Sequence, residues 1–201
     1  MNLPNKISIT RICMIPVFVL VFFLHGILPF NYGIAAIVFV LAACTDFIDG
    51  YIARSRGLVT NLGKFLDPIA DKVLVATAMI LLLTMQDALF ALFGQWQMLV
   101  YIIVTICICV ILARELIISA FRQIAAVNGV VMAADKLGKY KTTFQDVAIF
   151  VLIFAVDLSL KVAKIFAYIG LALFFVATVL TVWSGISYVI KNKQVLQDKK
   201  D

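Results

Sequence analysis

The chain has 201 residues, 64% of them hydrophobic and 14% charged, with a net charge of +6 and a mean hydropathy of +1.10. No soluble core hides that much apolar surface, so the composition excludes an ordinary water-soluble domain and points to a polytopic membrane protein. It also excludes nucleic acid as a partner, because no polar stretch is long enough to form a soluble basic domain.

In chain order, Leu3-Pro4-Asn5-Lys6-Ile7-Ser8-Ile9 reads as a short interfacial helix over residues 1–9, with Pro4 in its opening turn and apolar residues dipping into the headgroup layer. Asn5, Ser8 and Arg11 are spaced three apart and can face one cytoplasmic cavity. Equally, they can form a capped helix start with a topology-setting charge. Apolar runs of roughly 20 residues, enough to cross the hydrocarbon layer as helix, lie near 7 to 25, 32 to 53, 66 to 86, 95 to 121, 142 to 158 and 163 to 190. The first is expected to stay attached, since no small-x-small cleavage site follows His25. The expected fold class is an all-α integral membrane protein: six transmembrane helices in a single domain over 1–201, with a cytoplasmic tail over 191–201.

Apart from Lys161 and Lys164, every Lys and Arg falls near the chain start, between spans two and three, between spans four and five, or in the tail. Short loops rich in these residues stay cytoplasmic, so both termini are expected there, with His25, Asp87 and Asp157 on the opposite side. Concentrating the positive charge on one side attracts anionic headgroups and anionic soluble substrates. Cys13, Cys44, Cys107 and Cys109 all lie in apolar runs and are expected to act as small core hydrophobes, the last two on different helix faces.

Against this apolar background stand Asp46 and Asp49 at the end of span two and Asp67 and Asp71 at the start of span three. Spacings of three and four stack each pair on one helix face, and if the faces oppose, four carboxylates converge. Such a cluster is repulsive unless a cation sits among its members, and without nearby His or Cys it favours Mg²⁺ or Mn²⁺ over zinc. Two ions bridged by shared carboxylates would suit displacement at phosphorus. Gly50, Ala53 and Gly63 leave a side-chain-free trough beside that face, although the same residues also suit close helix packing. Pro68 is expected about one turn into span three, where its missing donor costs little. Arg54 is as easily a topology anchor as a phosphate contact. Arg114, Arg122, Lys139 and Lys141 cluster at the ends of spans four and five and would suit an anionic acceptor, with Arg114 as a planar phosphate clamp and Glu115 orienting it.

The string from Asp46 to Asp71 matches D-x2-D-G-x2-A-R-x8-G-x3-D-x3-D in full, and on it the chain resembles the CDP-alcohol phosphotransferase family. That resemblance implies six transmembrane helices, a homodimer, a cytoplasmic-side cavity and Mg²⁺- or Mn²⁺-dependent transfer of a phosphatidyl group from a CDP-linked donor to an alcohol, releasing CMP. It implies that Asp46, Asp49 and Asp67 are metal ligands, that Asp71 lies near the metals as the general base, and that Gly50, Ala53, Arg54 and Gly63, with Asn5, line the CDP site. Asn2 to Ile7, Gly57 to Pro68, Ala113-Arg114-Glu115-Leu116 and Leu137 to Thr142 are similar to the bacterial branch that joins CDP-diacylglycerol to sn-glycerol 3-phosphate; Asp135-Lys136 departs from it. The resemblance thus implies a multi-pass enzyme of the bacterial inner membrane, with its active site cytoplasmic, acting among membrane lipids. Another acceptor, such as inositol phosphate, serine or phosphatidylglycerol, is the alternative within this chemistry. A divalent-cation transporter is the alternative outside it, disfavoured because all four acids lie at one end.

Overall fold

A run of Leu, Ile, Val and Phe that leaves water must satisfy its own backbone, and a helix does so within the segment. The computed structural model describes residues 3–56, 61–127 and 136–192, with only the backbone course for 3–8, 46–56, 61–68, 126–127, 136–137 and 139. Among the described residues there are six α-helices and no strand: α1 Leu3–Phe23, α2 Asn31–Arg56, α3 Asn61–Leu83, α4 Gln97–Val127, α5 Lys136–Ala155 and α6 Leu160–Lys191. A 3-10 turn, Phe90–Trp96, leads into α4 through a kink at Gly94, whose φ of 55° favours glycine.

Two boundaries differ from expectation. Residues 3–9 are no separate interfacial helix but the opening turns of α1, which runs unbroken past Pro16 to Phe23. Helix α3 begins at Asn61, so Pro68 lies about two turns inside it rather than one. In both places the helix of the adjoining apolar run extends into the flanking residues; Pro4 stands in the opening turn of α1, where its missing N–H costs little.

The core is a layer of large apolar side chains, with Phe18, Phe22, Phe39, Leu74, Met79, Leu82, Ile108 and Phe174 fully buried. Outward, the helices expose Leu20, Leu41, Met98, Ile106, Leu116, Leu160 and Trp183, a surface that suits lipid. Phe90–Ala125 and Leu160–Lys191 are each long and apolar enough to cross a membrane. Hydroxyls inside these helices bond to their own backbone: Thr178 Oγ1 donates to the Phe174 carbonyl at 2.8 Å and Thr181 Oγ1 to that of Ala177 at 2.6 Å. Of the cysteines, Cys107 is buried as expected, and it and Cys109 do lie on different faces. Cys13, Cys44 and Cys109 are exposed, which corrects their reading as core residues; an apolar exterior accepts a thiol as readily as the interior does.

Helix α6 buries Ala163, Ala167, Gly170, Phe174, Ala177, Thr181, Ser184 and Gly185, a mostly small-residue stripe that lets α5 and α4 approach closely. At Gly170 an added Cβ would lie 2.7 Å from Leu152 Cγ and 3.3 Å from Val151 Cγ1. Gly170→Ala is therefore expected to destabilise the bundle by about 1–3 kcal/mol, read as a lower melting temperature in detergent, and Leu152→Ala in the same chain should recover part of the loss.

Side-chain bonds tie the helix ends. At one end, Asn31 Nδ2 donates to the Phe22 carbonyl at 2.8 Å, and Asp157 Oδ2 accepts from the Gly33 backbone N–H at 2.6 Å, placing a carboxylate at the positive start of α2. At the other end Arg11, fully buried, donates through Nε to Thr45 Oγ1 at 3.1 Å, clamping α1 to the turn of α2 that precedes Asp46. Arg11, Lys72, Arg114, Arg122 and Lys141 all belong to this second end, where helices α2 and α3 also meet.

Candidate active site

Three helices enclose a cavity of about 300 Å³ at that basic end. From α3 come Asp71, Lys72, Val75, Ala76 and Met79; from α4, Leu112, Glu115 and Leu116; from α5, Lys141, Thr142, Gln145 and Asp146. These positions recur at three and four residues, so each helix presents one continuous stripe. Charge and apolarity are graded along α3 and α4: Asp71, Lys72 and Glu115 lie toward the basic end, while Val75, Met79 and Leu112 lie deeper.

Lys141 is only 3% exposed and its ammonium contacts Glu115 Oε1. The same Glu115 oxygen accepts from Arg114 Nη1 at 2.9 Å, and Arg114 Nη2 donates to Ser184 Oγ on α6 at 3.0 Å. Lys72 Nζ donates to Ser119 Oγ at 2.5 Å, and that hydroxyl donates to the Glu115 carbonyl at 2.5 Å. The Glu115 carboxylate therefore joins two cations, Arg114 and Lys141, while its main-chain carbonyl holds Lys72 through Ser119. Lys141 stands one residue ahead of the apolar stretch 142 to 158; burial pushes its pKa down to about 7, Arg114 adds to that, and Asp71 and Asp146 oppose it. An anion entering the cavity would favour the charged form.

The predicted site residues fall into three groups. Asp71, half-buried, and Lys141 line the cavity together. Arg114 sits behind Glu115 and lines the opposite face of α4, while Arg122 is exposed, with Nε 3.2 Å from Tyr188 Oη and its guanidinium 5.3 Å from that ring's centre. Asn5, Asp46, Asp49, Gly50, Ala53, Arg54, Gly63, Asp67 and Lys139 have side chains outside the described residues; their backbones place them in α1, in the last turns of α2, in the first turns of α3 and in α5. Sequence reasoning missed Lys72, Gln145 and Asp146 as cavity residues. Gln145 and Asp146 carried a signal: each follows a cavity residue, Lys141 or Thr142, by one helical turn within an apolar span.

The donor chemistry fits a hard divalent ion. Asp71 is a carboxylate on a cavity wall with Asp146 on the facing helix, and the other motif acids occupy adjoining ends of α2 and α3 without His or Cys among them. The fold and site thus define a helical, lipid-compatible protein whose mainly apolar cavity carries the carboxylates Asp71, Glu115 and Asp146 beside Lys72 and the buried Lys141. The family model described as CDP-alcohol phosphatidyltransferase matches residues 1–183, and the chain belongs to that family. It is 38% identical to a CDP-diacylglycerol–glycerol-3-phosphate 3-phosphatidyltransferase of Bacillus subtilis (strain 168), over 98% of this chain and 97% of the relative. Proteins of the same name from Escherichia coli (strain K12) and Salmonella typhimurium (strain LT2) are also 38% identical, over 98% of both chains.

Proposed function

We propose that this protein transfers the phosphatidyl group of CDP-diacylglycerol to sn-glycerol 3-phosphate, giving phosphatidylglycerophosphate and CMP. The observation that carries this reading is the full Asp46 to Asp71 signature ending in a cavity where Asp71 faces a buried Lys141, on a chain whose end-to-end relatives bear that activity in their names. Asp46, Asp49, Asp67 and Asp71 would hold Mg²⁺ or Mn²⁺, in a pair, which when bound neutralises the donor's diphosphate and the departing CMP. Asn5, Gly50, Ala53, Arg54 and Gly63 would lie along the CDP moiety. Lys141 would receive the acceptor's phosphate, with Lys139 and Arg122 at the same helix ends and Arg114 acting through Glu115.

In the reaction, Asp71 takes the proton of the acceptor's terminal hydroxyl as that oxygen bonds to the phosphorus bearing diacylglycerol. The bond from this phosphorus to the CMP oxygen breaks in the same displacement, and CMP leaves with the bonding pair. The graded cavity suits a lipid donor held at its headgroup, since the reacting end lies among charges and the deeper wall is apolar. Crossing of the membrane by all six helices, cytoplasmic placement of both termini and the site in a bacterial inner membrane, and a homodimer complete the reading; the basic residues gathered at one end support its orientation.

The test is an acceptor panel. Purified protein supplied with labelled CDP-diacylglycerol and Mg²⁺ should release CMP with sn-glycerol 3-phosphate, and turnover should fall to background with excess chelator and return with added metal. Faster turnover with serine, inositol phosphate or phosphatidylglycerol would reassign the acceptor. Divalent-ion uptake into proteoliposomes without nucleotide would favour a transporter.

A further inference from the structure

The Glu115 carboxylate is only partly used by its neighbours. Arg114 Nη1, at 2.9 Å, and the Lys141 ammonium both meet Oε1. No other hydrogen bond reaches this carboxylate among the described residues, so Oε2 keeps acceptor capacity. The Glu115 side chain lines the cavity and is 24% exposed, against 3% for Lys141, so a ligand can reach it. Its neighbour Arg114 turns the other way, to the outward groove between α4 and α6 beside Ile118, Gly185 and Val189, where Ser184 Oγ holds it at 3.0 Å. Glu115 is thereby pinned from behind, with its second oxygen left to the cavity.

Asp71 comes to this cavity from α3, Glu115 from α4 and Lys141 from α5. In the reaction proposed above, the acceptor's terminal hydroxyl meets Asp71 and its phosphate meets Lys141. One polar group of sn-glycerol 3-phosphate then remains, the secondary hydroxyl, on the carbon next to the one that bears the phosphate. Because Glu115 already touches the Lys141 ammonium, a phosphate bound there brings that hydroxyl beside the carboxylate. Gln145 is less well placed, since it follows Lys141 by one turn into the apolar part and its Nε2 lies 3.5 Å from Met79 Sδ. The phosphate tolerates a carboxylate neighbour because Arg114 and Lys141 neutralise it.

We propose that Glu115 accepts the hydrogen bond of the acceptor's secondary hydroxyl through Oε2 and so selects both the presence and the handedness of that hydroxyl. This assignment rests on the phosphatidyl-transfer reading of the same cavity. Two contacts cannot tell a stereocentre from its mirror image, whereas three contacts from three helices can. In sn-glycerol 1-phosphate the phosphate and the primary hydroxyl reach the same two partners, and the secondary hydroxyl then points away from Glu115.

The test measures CMP release by the full chain, with labelled CDP-diacylglycerol and Mg²⁺, for sn-glycerol 3-phosphate, sn-glycerol 1-phosphate and 3-hydroxypropyl phosphate, which lacks the secondary hydroxyl. Wild type should favour sn-glycerol 3-phosphate over each analogue by roughly 10–100-fold in kcat/KM, the range of a hydrogen bond to a charged group. Glu115→Gln, which keeps the shape and a neutral carbonyl, should shrink both preferences, and Glu115→Ala should bring both close to unity. Disturbance of Arg114 or Lys141 by either substitution acts on all three acceptors alike and cancels in the ratios, so a merely structural role would leave the preferences as in wild type. Where Glu115→Ala does not fold, Glu115→Gln decides. Absence of either preference in wild type, or preferences unchanged by the substitutions, would overturn the proposal while phosphatidyl transfer stands. Release of CMP with none of the three acceptors would remove the transfer reading and this assignment together.

Discussion

Asp71→Asn is expected to lower turnover by roughly 10²–10⁴-fold, the range that a positioned general base supplies, while the helical bundle stays intact. The substitution keeps the shape of the side chain and removes its capacity to accept a proton at neutral pH. Asp71 is half-buried on α3, on the wall of the 300 Å³ cavity, and Asn in its place meets no new steric demand. The discriminating measurement is donor binding: a CDP-lipid should still bind in an Mg²⁺-dependent manner, because Asp46, Asp49 and Asp67 remain. Loss of binding together with turnover would make Asp71 primarily a metal ligand. Retained turnover would remove it from the chemistry altogether.

Lys141→Met is expected to raise the KM for sn-glycerol 3-phosphate by roughly 10–100-fold, since a hydrogen bond to a charged group is worth about 1.5–3 kcal/mol. Methionine preserves most of the stem volume, so the loss is of charge rather than packing. It also leaves Glu115 without its buried lysine partner, although Arg114 still bonds the same oxygen. Pairing Lys141→Met with Glu115→Gln should therefore recover thermal stability without recovering acceptor affinity, which separates the structural part of the network from the binding part. The pH dependence has a definite sign. Because burial holds Lys141 at about 7 and the acceptor's phosphate binds the charged form, acceptor KM in the wild type should rise as pH increases through 7. A KM unaffected by Lys141→Met would place the acceptor's phosphate elsewhere.

The acidic signature was legible in the primary structure because the proposed chemistry requires oxygen donors at fixed helical offsets, and offsets of three and four residues are sequence properties. The helices were legible for a related reason: an apolar run that avoids water has few ways to satisfy its backbone. The ends of those helices were less so. Residues 3–9 read as a helix of their own and 61–65 fall before the third apolar run, yet they are the opening turns of α1 and α3.

What the amino-acid order determined by itself was the all-helical class, the family, the identity of the acids and the gathering of cations toward one end. Which way each cation points was decided by tertiary structure. Arg114 and Glu115 are neighbours, so one helical step separates their directions, and only the seating of α4 against Ser184 and Gly185 of α6 turns Arg114 to the groove and Glu115 to the cavity. Likewise Arg11 reads equally as a residue facing a cavity or as a topology-setting charge until the packing of α1 on α2 buries it against Thr45. Helix rotation depends on contacts between segments far apart in the chain, and small residues such as Gly185 govern it by what they leave unfilled.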